Sequence, residues 1–323
     1  KKAFDKVPHR RLLDVLRHYG FTGSVMNWIE DFLTNRQQRV SVTGTTSKWH
    51  PVVSGIPQGS VLGPILFVMY INSLPTTAKN SDIYLFADDT KIFKEISSPI
   101  DHVELQQDLN SMNEWTENSL LQFHPDKCSS MTINRHPGVT RKYHLDGRQL
   151  KVSEEERDLG VVLDTKLSFE KHMWTKIKKA NSLMGVIRRA FTYLDESSFL
   201  TLYKALVRPH LEHANQAWAP HLRKHIDSLE NVQRRATKLL PNMKDLTYEQ
   251  RLRKLKLPTL AYRRLRGDLI EMFKIVTNLY DKNTCENLFE LNENHPNRTR
   301  GHKYKLKKTH VKRNIRKFNN KYN

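Results

Sequence analysis

The 323-residue chain carries 54 Lys and Arg against 34 Asp and Glu, a formal net charge of +20, and 38% of its residues are hydrophobic. That apolar content supports a sizeable core and excludes wholesale disorder, while the basic surplus favours a polyanionic partner over an acidic metabolite or a calcium-buffering role. Two cysteines, Cys128 and Cys285, exclude a disulfide scaffold and a four-cysteine zinc site.

Residues 10–33 predict helix. Leu12, Leu13, Val15 and Leu16 recur at helical spacing, and after a break at Gly20–Gly23 so do Trp28, Ile29, Phe32 and Leu33. The period changes over residues 37–54, where Val40, Val42, Trp49, Val52 and Val53 suggest two strands around Gly44. A turn-rich loop, Gly55–Ser60, follows, and Ser60 is placed to cap a helix over Val61–Asn72 with Pro64 in its first turn. The longest apolar run, Val61–Ile71, is interrupted by Gly63 and Pro64 and is too short to span a bilayer, so no membrane partner is expected.

Residues 83–93 read as strand, tight turn, strand, and residues 101–122 as an amphipathic helix with Val103, Leu105, Leu109, Met112 and Trp115 on its apolar side. Further strands are expected at Met131–Ile133 and Leu159–Leu163. Beyond about residue 166 the pattern is helical, with apolar positions at Phe199, Leu202, Tyr203, Leu206 and Val207, and again at Ile226, Leu229, Val232, Ala236, Leu239 and Leu240. Charge follows the same division: residues 1–150 hold 17 basic and 15 acidic residues, residues 151–323 hold 37 and 19, and residues 301–323 hold nine basic and no acidic ones. A net +18 half is suited to a phosphate backbone. His210, His213, His221 and His225 are read as structural or surface histidines, since cysteine ligands are lacking nearby.

Asp88-Asp89 is the sharpest chemical feature. Side chains alternate along a strand, so adjacent carboxylates share a face only where the backbone turns. Two anions beside an apolar run are costly without a cation, and hard oxygen donors suit Mg²⁺. Asp-Asp-Thr is also ordinary turn chemistry. The glycines flanking Pro57-Gln58 permit close backbone approach to a ligand, a signal that is weak by itself.

Taken in order, Lys2-Ala3-Phe4-Asp5-Lys6-Val7-Pro8-His9, Ser54-Gly55-Ile56-Pro57-Gln58-Gly59-Ser60-Val61-Leu62-Gly63-Pro64 and Phe86-Ala87-Asp88-Asp89 resemble reverse-transcriptase motifs A, B and C, with the nearest likeness to Jockey-like non-LTR retrotransposons. Asn113-Glu114-Trp115 through Pro125-Asp126-Lys127-Cys128 resembles motif D, and Asp158-Leu159-Gly160-Val161 motif E. Leu202-Tyr203-Lys204 to Glu212, with Val232–Thr237, resembles the region after the palm.

The resemblance implies an α+β fold: a right-hand polymerase palm, an antiparallel sheet with packed helices, plus partial fingers over residues 1–165, then an all-helical thumb-like region over 166–290 and a basic tail or truncated element over 291–323. It implies an RNA-directed DNA polymerase that joins a dNTP to a primer 3′-hydroxyl with two Mg²⁺ ions, Asp88 being a ligand and Asp89 supporting the site. RNA template, DNA primer or target, and dNTPs would be its partners, in the nucleus or a cytoplasmic ribonucleoprotein. Phe4 matches the position that blocks a ribose 2′-hydroxyl, and Gln58 one that contacts nucleotide and template. Gly55 and Pro57 belong to the same loop, and Gly59 permits backbone approach. Lys127 matches a lysine near the leaving pyrophosphate. The motif A aspartate would precede Lys1, so one metal ligand is expected to be missing and the chain to be a truncated piece, inactive or nearly so; Asp5 is not its substitute and is expected to be a structural or surface residue. A decayed or domesticated copy that only binds nucleic acid is the alternative. A viral RNA polymerase would be expected to carry Gly-Asp-Asp, and motif B alone does not exclude a group II intron maturase.

Overall fold

A computed structural model describes residues 3–133 and 141–281, together with 285, 288–289, 291 and 304–307. Lys2 of the first motif, and residues 291–323 apart from 291 and 304–307, lie outside the described residues. The chain divides into two compact units, Lys1–Glu154 and Glu155–Asn323.

In the first unit, α1 (His9–His18) and α2 (Gly23–Leu33) form the helical pair expected on either side of the glycine break. Leu12, Leu13 and Leu16 of α1 and Met26, Ile29 and Leu33 of α2 are buried, whereas Trp28 is exposed. A ribbon follows, in which β1 (Gln37–Gln38) pairs with β4 (His50–Pro51) and β2 (Ser41–Val42) with β3 (Thr45–Thr46). Next comes α3 (Leu62–Ile71), whose Leu66, Phe67, Tyr70 and Ile71 join the core of α1 and α2. Ser60 performs the capping expected of it, its Oγ accepting from the Gly63 N–H at 3.0 Å.

The strands β5 (Asp82–Phe86) and β6 (Asp89–Phe93) pair antiparallel, Phe86 opposite Asp89. Ile83, Leu85 and Ile92 face a second core cluster with Leu109 and Met112 of α4 (Pro99–Ser119). This helix starts at a capping box, Ser98 with Asp101, and stops where Leu120 takes φ 56°. Short ladders complete the unit: β7 (Ser129–Ser130), β8 (His144–Leu145) with β9 (Arg148–Gln149), and β10 (Lys151–Val152), which pairs parallel to β7. The strand expected at Met131–Ile133 therefore sits two residues earlier, where the partner strand is.

In the second unit, β11 (Glu155–Asp158) and β12 (Val161–Asp164) form a hairpin. Leu159 and Gly160, expected inside a strand, are instead its two-residue turn, with φ 45° and 86°. Val161 packs into the helical core of this unit, and His172 accepts from the Val162 N–H at 3.1 Å. The hairpin is thus built onto the helices that follow it. These are α5 (Glu170–Ala190), α6 (Glu196–Leu202), which passes through a π-helical turn at Tyr203–Val207 into α7 (Arg208–Glu212), α8 (Asn215–Trp218), α9 (Arg223–Thr237), α10 (Tyr248–Leu255) and α11 (Leu260–Val276). Among the described residues the strands form six two-stranded ladders, five antiparallel and one parallel, rather than one continuous antiparallel sheet. No helix is long and apolar enough to cross a membrane among those residues.

Several polar groups inside the helical unit are paired, although Asn181 Oδ1, His172 Nε2 and both terminal nitrogens of Arg264 are buried without a hydrogen-bond partner among the described residues. Glu230 of α9 accepts from the Leu260 N–H at 3.0 Å, the Ala261 N–H at 3.3 Å and the Tyr248 hydroxyl, so one buried carboxylate ties α9 to α10 and to the first turn of α11. Anions at a helix N-terminus are favoured by the free N–H groups there. Tyr203 donates to Gln233 at 2.7 Å, and Gln233 in turn donates to the Tyr248 hydroxyl at 2.9 Å and the Pro258 carbonyl at 3.0 Å. Arg263 makes a two-point ion pair with Glu212. His213 donates to the Leu159 carbonyl at 3.1 Å, and His225 approaches Glu170 at 3.4 Å.

His172 is fully buried with its ring edge-on to Trp218. Burial, reinforced by the charge of Lys176, pushes its imidazole down from 6.5 to about 4. Between these values the unfolded chain binds a proton that the folded chain does not, so this contribution makes stability fall as pH drops from 6.5 toward 4. Denaturant unfolding of the second unit is expected to lose about 1–2 kcal/mol between pH 7 and pH 5 through His172. In His172→Gln, whose side-chain oxygen can still accept from Val162, that part of the pH slope is expected to vanish. An unchanged slope in the variant would contradict the assignment.

Candidate active site

The loop Ser54–Ser60 is stitched to the first turn of the chain. The Gly55 N–H donates to the Val7 carbonyl at 2.8 Å, the Ile56 N–H to the Phe4 carbonyl at 2.9 Å, and Ser54 Oγ to the Asp5 carbonyl at 3.0 Å. Gly55 itself takes φ 91°, and a Cβ built on it would lie 2.7 Å from Asp5 Cα and 2.8 Å from the Asp5 carbonyl oxygen. Only glycine permits both that conformation and that contact. The Gly55 carbonyl receives His9 Nε2–H at 2.8 Å and the Arg36 guanidinium at 3.0 Å. His9 and Arg36 are therefore positioning residues. The sequence carries His9 only as the end of the first motif, and Arg36 carries no sequence signal.

Phe4 lies in a 3₁₀ turn, Phe4–Lys6, with its ring stacked on Phe67 of α3 at a centroid distance of 4.2 Å and 16° between planes. Phe67 is buried and Phe4 half-buried, so one side of the Phe4 ring is held and part of it stays accessible. Gln58 is exposed, and its amide donates to the Asp5 carboxylate at 2.7 Å. Asp5 is thus part of the frame of the loop, the structural role expected of it. The Pro57 carbonyl accepts from Ser60 Oγ at 2.7 Å, which closes the turn into α3. At Gly59, φ is 79° and a Cβ would meet nothing within 4 Å, so the space above this residue is open.

Asp88 and Asp89 sit where the sequence pattern puts them, at a tight turn. The two-residue loop between β5 and β6 is Ala87-Asp88, and Asp89 is the first residue of β6; both carboxylates are exposed. Ala87 takes φ 50°, a left-handed conformation that costs a non-glycine residue about 1 kcal/mol and that turns the chain sharply enough to bring adjacent aspartates to one end of the hairpin. Leu85, two residues earlier, packs against both core clusters, including the one that holds Phe67. The hairpin and the Phe4 ring therefore rest on one body of side chains.

A buried carboxylate outside the motifs holds the start of this hairpin. Asp108 of α4 is 2% exposed and accepts from the Lys79 and Asn80 N–H groups, both at 3.0 Å, just ahead of β5. Burial alone would raise its carboxyl, but those N–H groups and the Asn80 side-chain amide outweigh it and hold the group below the usual carboxylate range. Its position in an amphipathic helix gave no sign of this role.

Lys127 ends the 3₁₀ turn Pro125–Lys127 and is exposed. No hydrogen bond or ion pair joins it to Asp88 or Asp89 among the described residues. Cys128 beside it packs against the α4 cluster, and burial pushes its thiol up, away from nucleophilic use. Asp88 and Asp89 offer hard oxygen donors, the chemistry a divalent cation takes, and no group of three or more His, Cys, Asp or Glu placed to hold a metal occurs among the described residues.

Gly55→Ala is expected to destabilise the first unit by about 3 kcal/mol or more, from the clash with the Asp5 backbone plus the positive φ, whereas Gly59→Ala, with open space around it, is expected to cost about 1 kcal/mol. Chemical denaturation of the two variants distinguishes them; equal losses would show that the Gly55–Asp5 contact is not limiting.

Residues 1–176 match the family described as reverse transcriptase (RNA-dependent DNA polymerase). The chain is 27% identical over 248 residues to the RNA-directed DNA polymerase from mobile element jockey of Drosophila melanogaster, which covers 72% of this chain and 26% of that protein. It is 24% identical over 248 residues to the probable RNA-directed DNA polymerase from transposon X-element of the same species, over 74% of this chain and 27% of the relative. A polyprotein from type-1 retrotransposable element R2 of Nasonia vitripennis is 29% identical over 143 residues, 41% of this chain and 14% of its own length. The chain spans about a quarter of the length of the first two relatives. With the family matched over more than half its residues, the chain belongs to the reverse transcriptase family, with its likeness to the Jockey-like non-LTR retrotransposons.

Proposed function

We propose that this chain provides the nucleotidyl-transfer region of an RNA-directed DNA polymerase from a non-LTR retrotransposon, with Asp88 and Asp89 as its metal-binding carboxylates. The observation that carries the reading is the hairpin: two exposed aspartates at a strained two-residue turn, on the core that also seats Phe4. The first unit is the palm with part of the fingers in this reading, and the basic helical unit is thumb-like. RNA template, DNA primer or target, and dNTPs are the partners, and the nucleus or a cytoplasmic ribonucleoprotein is the place of action.

Mg²⁺, when bound, would lower the pKa of the primer hydroxyl and offset the charge that develops on the phosphoryl oxygens. Asp88 would ligate it directly, and Asp89, on the adjoining strand end, would support that ligation. Phe4 would exclude a ribose 2′-hydroxyl by bulk, since Phe67 stacked behind it prevents the ring from yielding. Gln58 would contact the incoming nucleotide and template, and its bond to Asp5 holds it against the first turn meanwhile. Gly59 would let backbone approach the ligand, while Gly55 and Pro57 keep the loop in shape. Lys127 would give a proton, or a fixed positive charge, to the leaving pyrophosphate.

In a polymerase-competent polypeptide that contains this chain, Asp88→Asn is expected to reduce Mg²⁺-dependent primer extension on poly(rA)/oligo(dT) by about a thousandfold or more, because a neutral amide is a poor ligand for a hard cation. Extension within a few-fold of the unaltered enzyme would overturn the site. Phe4→Val, in the same assay with competing ribonucleotides, is expected to raise ribonucleotide incorporation about tenfold or more with the deoxyribonucleotide rate less affected. Unchanged discrimination would remove Phe4 from the sugar pocket.

A further inference from the structure

The helical unit contains a cavity of about 720 Å³ between α5, α9 and α10, within the size range that holds a nucleotide-sized ligand. Its wall includes Arg234, Arg235, Lys238 and Arg251 and no Asp or Glu. Arg234, Arg235 and Lys238 are exposed, and none of them takes part in an ion pair among the described residues. Glu230 of the same helix does not line the cavity and is used by the Tyr248 hydroxyl and the N–H groups of Leu260 and Ala261. Four cations facing a concave space without counter-charge specify an anionic occupant.

The aromatic residues narrow that class. The Arg234 and Arg251 guanidinium carbons lie 5.1 Å and 5.6 Å from the centre of the Tyr248 ring. Arg251 is 3% exposed and fixed by Thr237 Oγ1 at 2.9 Å and the Leu246 carbonyl at 2.5 Å, so the floor of the cavity is rigid. Trp174 of α5 lines the same space and is 40% exposed, an indole left half in water beside guanidinium groups. An acidic peptide or free phosphate would use the cations and leave the indole idle. A nucleotide uses both, with its phosphate on the basic rim and its base on the ring. A duplex keeps its bases stacked inside, so the nucleotide that enters must come from a single strand.

We propose that this cavity is a second nucleic-acid site, which takes one unstacked nucleotide of a single-stranded RNA, with its phosphate on Arg235 and Lys238 and its base against Trp174. The inference rests on the polymerase reading for the choice of RNA over other polyanions. It differs from a backbone grip on template–primer duplex, because the occupant is one splayed nucleotide in a pocket.

The test is fluorescence anisotropy of a labelled 12-nucleotide single-stranded RNA with the 323-residue chain across 50–300 mM salt, without dNTPs or Mg²⁺. Arg235→Gln with Lys238→Gln is expected to weaken binding about tenfold at 100 mM salt and to lower the log–log salt slope by about 0.7, one phosphate contact's worth for a single strand. Trp174→Ala is expected to weaken binding about tenfold with the slope unchanged, the signature of lost stacking. All the altered side chains are at least partly exposed, and far-ultraviolet circular dichroism checks that the variants fold. Affinities within threefold of the unaltered chain in either variant overturn the proposal, as does equal competition by poly-glutamate or by an RNA duplex of the same sequence. Because no extension is measured, binding here and polymerisation above can each fail while the other holds.

Discussion

The contact on which the candidate site depends is backbone against backbone: Gly55 lying on Asp5. A Cβ at residue 55 would sit 2.7 Å from Asp5 Cα, closer than any side chain tolerates. That closeness lets three hydrogen bonds form between residues 4–7 and 54–56, and it turns the Gly55 carbonyl toward His9 and Arg36. Buried backbone groups must find partners, and here two loops satisfy one another without a sheet. The arrangement brings Phe4, Gln58 and the start of α3 together although about fifty residues separate them in sequence. Phe67 of α3 then fixes the Phe4 ring, so the geometry of a side chain near the beginning of the chain is set by a helix that follows the loop.

The aspartate hairpin solves a different problem. Its apolar strand must be buried on one face, while its carboxylates must stay in water or near a cation. The alternation of β5 meets the first need through Ile83 and Leu85. The left-handed Ala87 meets the second by turning the chain as soon as the apolar residues end. Asp108 secures the other end of β5, where a buried carboxylate is stable because N–H groups surround it. One acidic residue is held by backbone donors inside the fold, and two are left exposed at the turn.

The helical unit sorts charge by the same rule. Inside, Glu230, Gln233 and Tyr248 satisfy one another, and Glu212 pairs with Arg263. Outside, Arg234 and Arg235 of α9 and Lys238 just after it line a concave face that holds no carboxylate. The +18 of residues 151–323 is thus in part a shaped surface and in part a basic segment beyond residue 300.

Much of this was legible in the sequence. Helical periodicity located α1, α2 and the long helices, because burial of one face imposes spacing whatever the partner is. Asp88-Asp89 after an apolar run announced a turn with two carboxylates, and the ordered motifs announced the family. The sequence alone could not say that Leu159-Gly160 would be a turn, since an apolar run reads equally as strand or hairpin arm until its partner is known. Nor could it reveal Asp108, His9 and Arg36 as positioning residues, His172 as a buried neutral base, or Arg234, Arg235 and Lys238 as one wall of a cavity. Those roles depend on neighbours distant along the chain. Sequence determined which chemistry the chain carries, because residue types and short spacings are local properties. Tertiary structure decided which charges are spent inside and which are left to meet a ligand, because desolvation and pairing exist only once the chain has closed on itself.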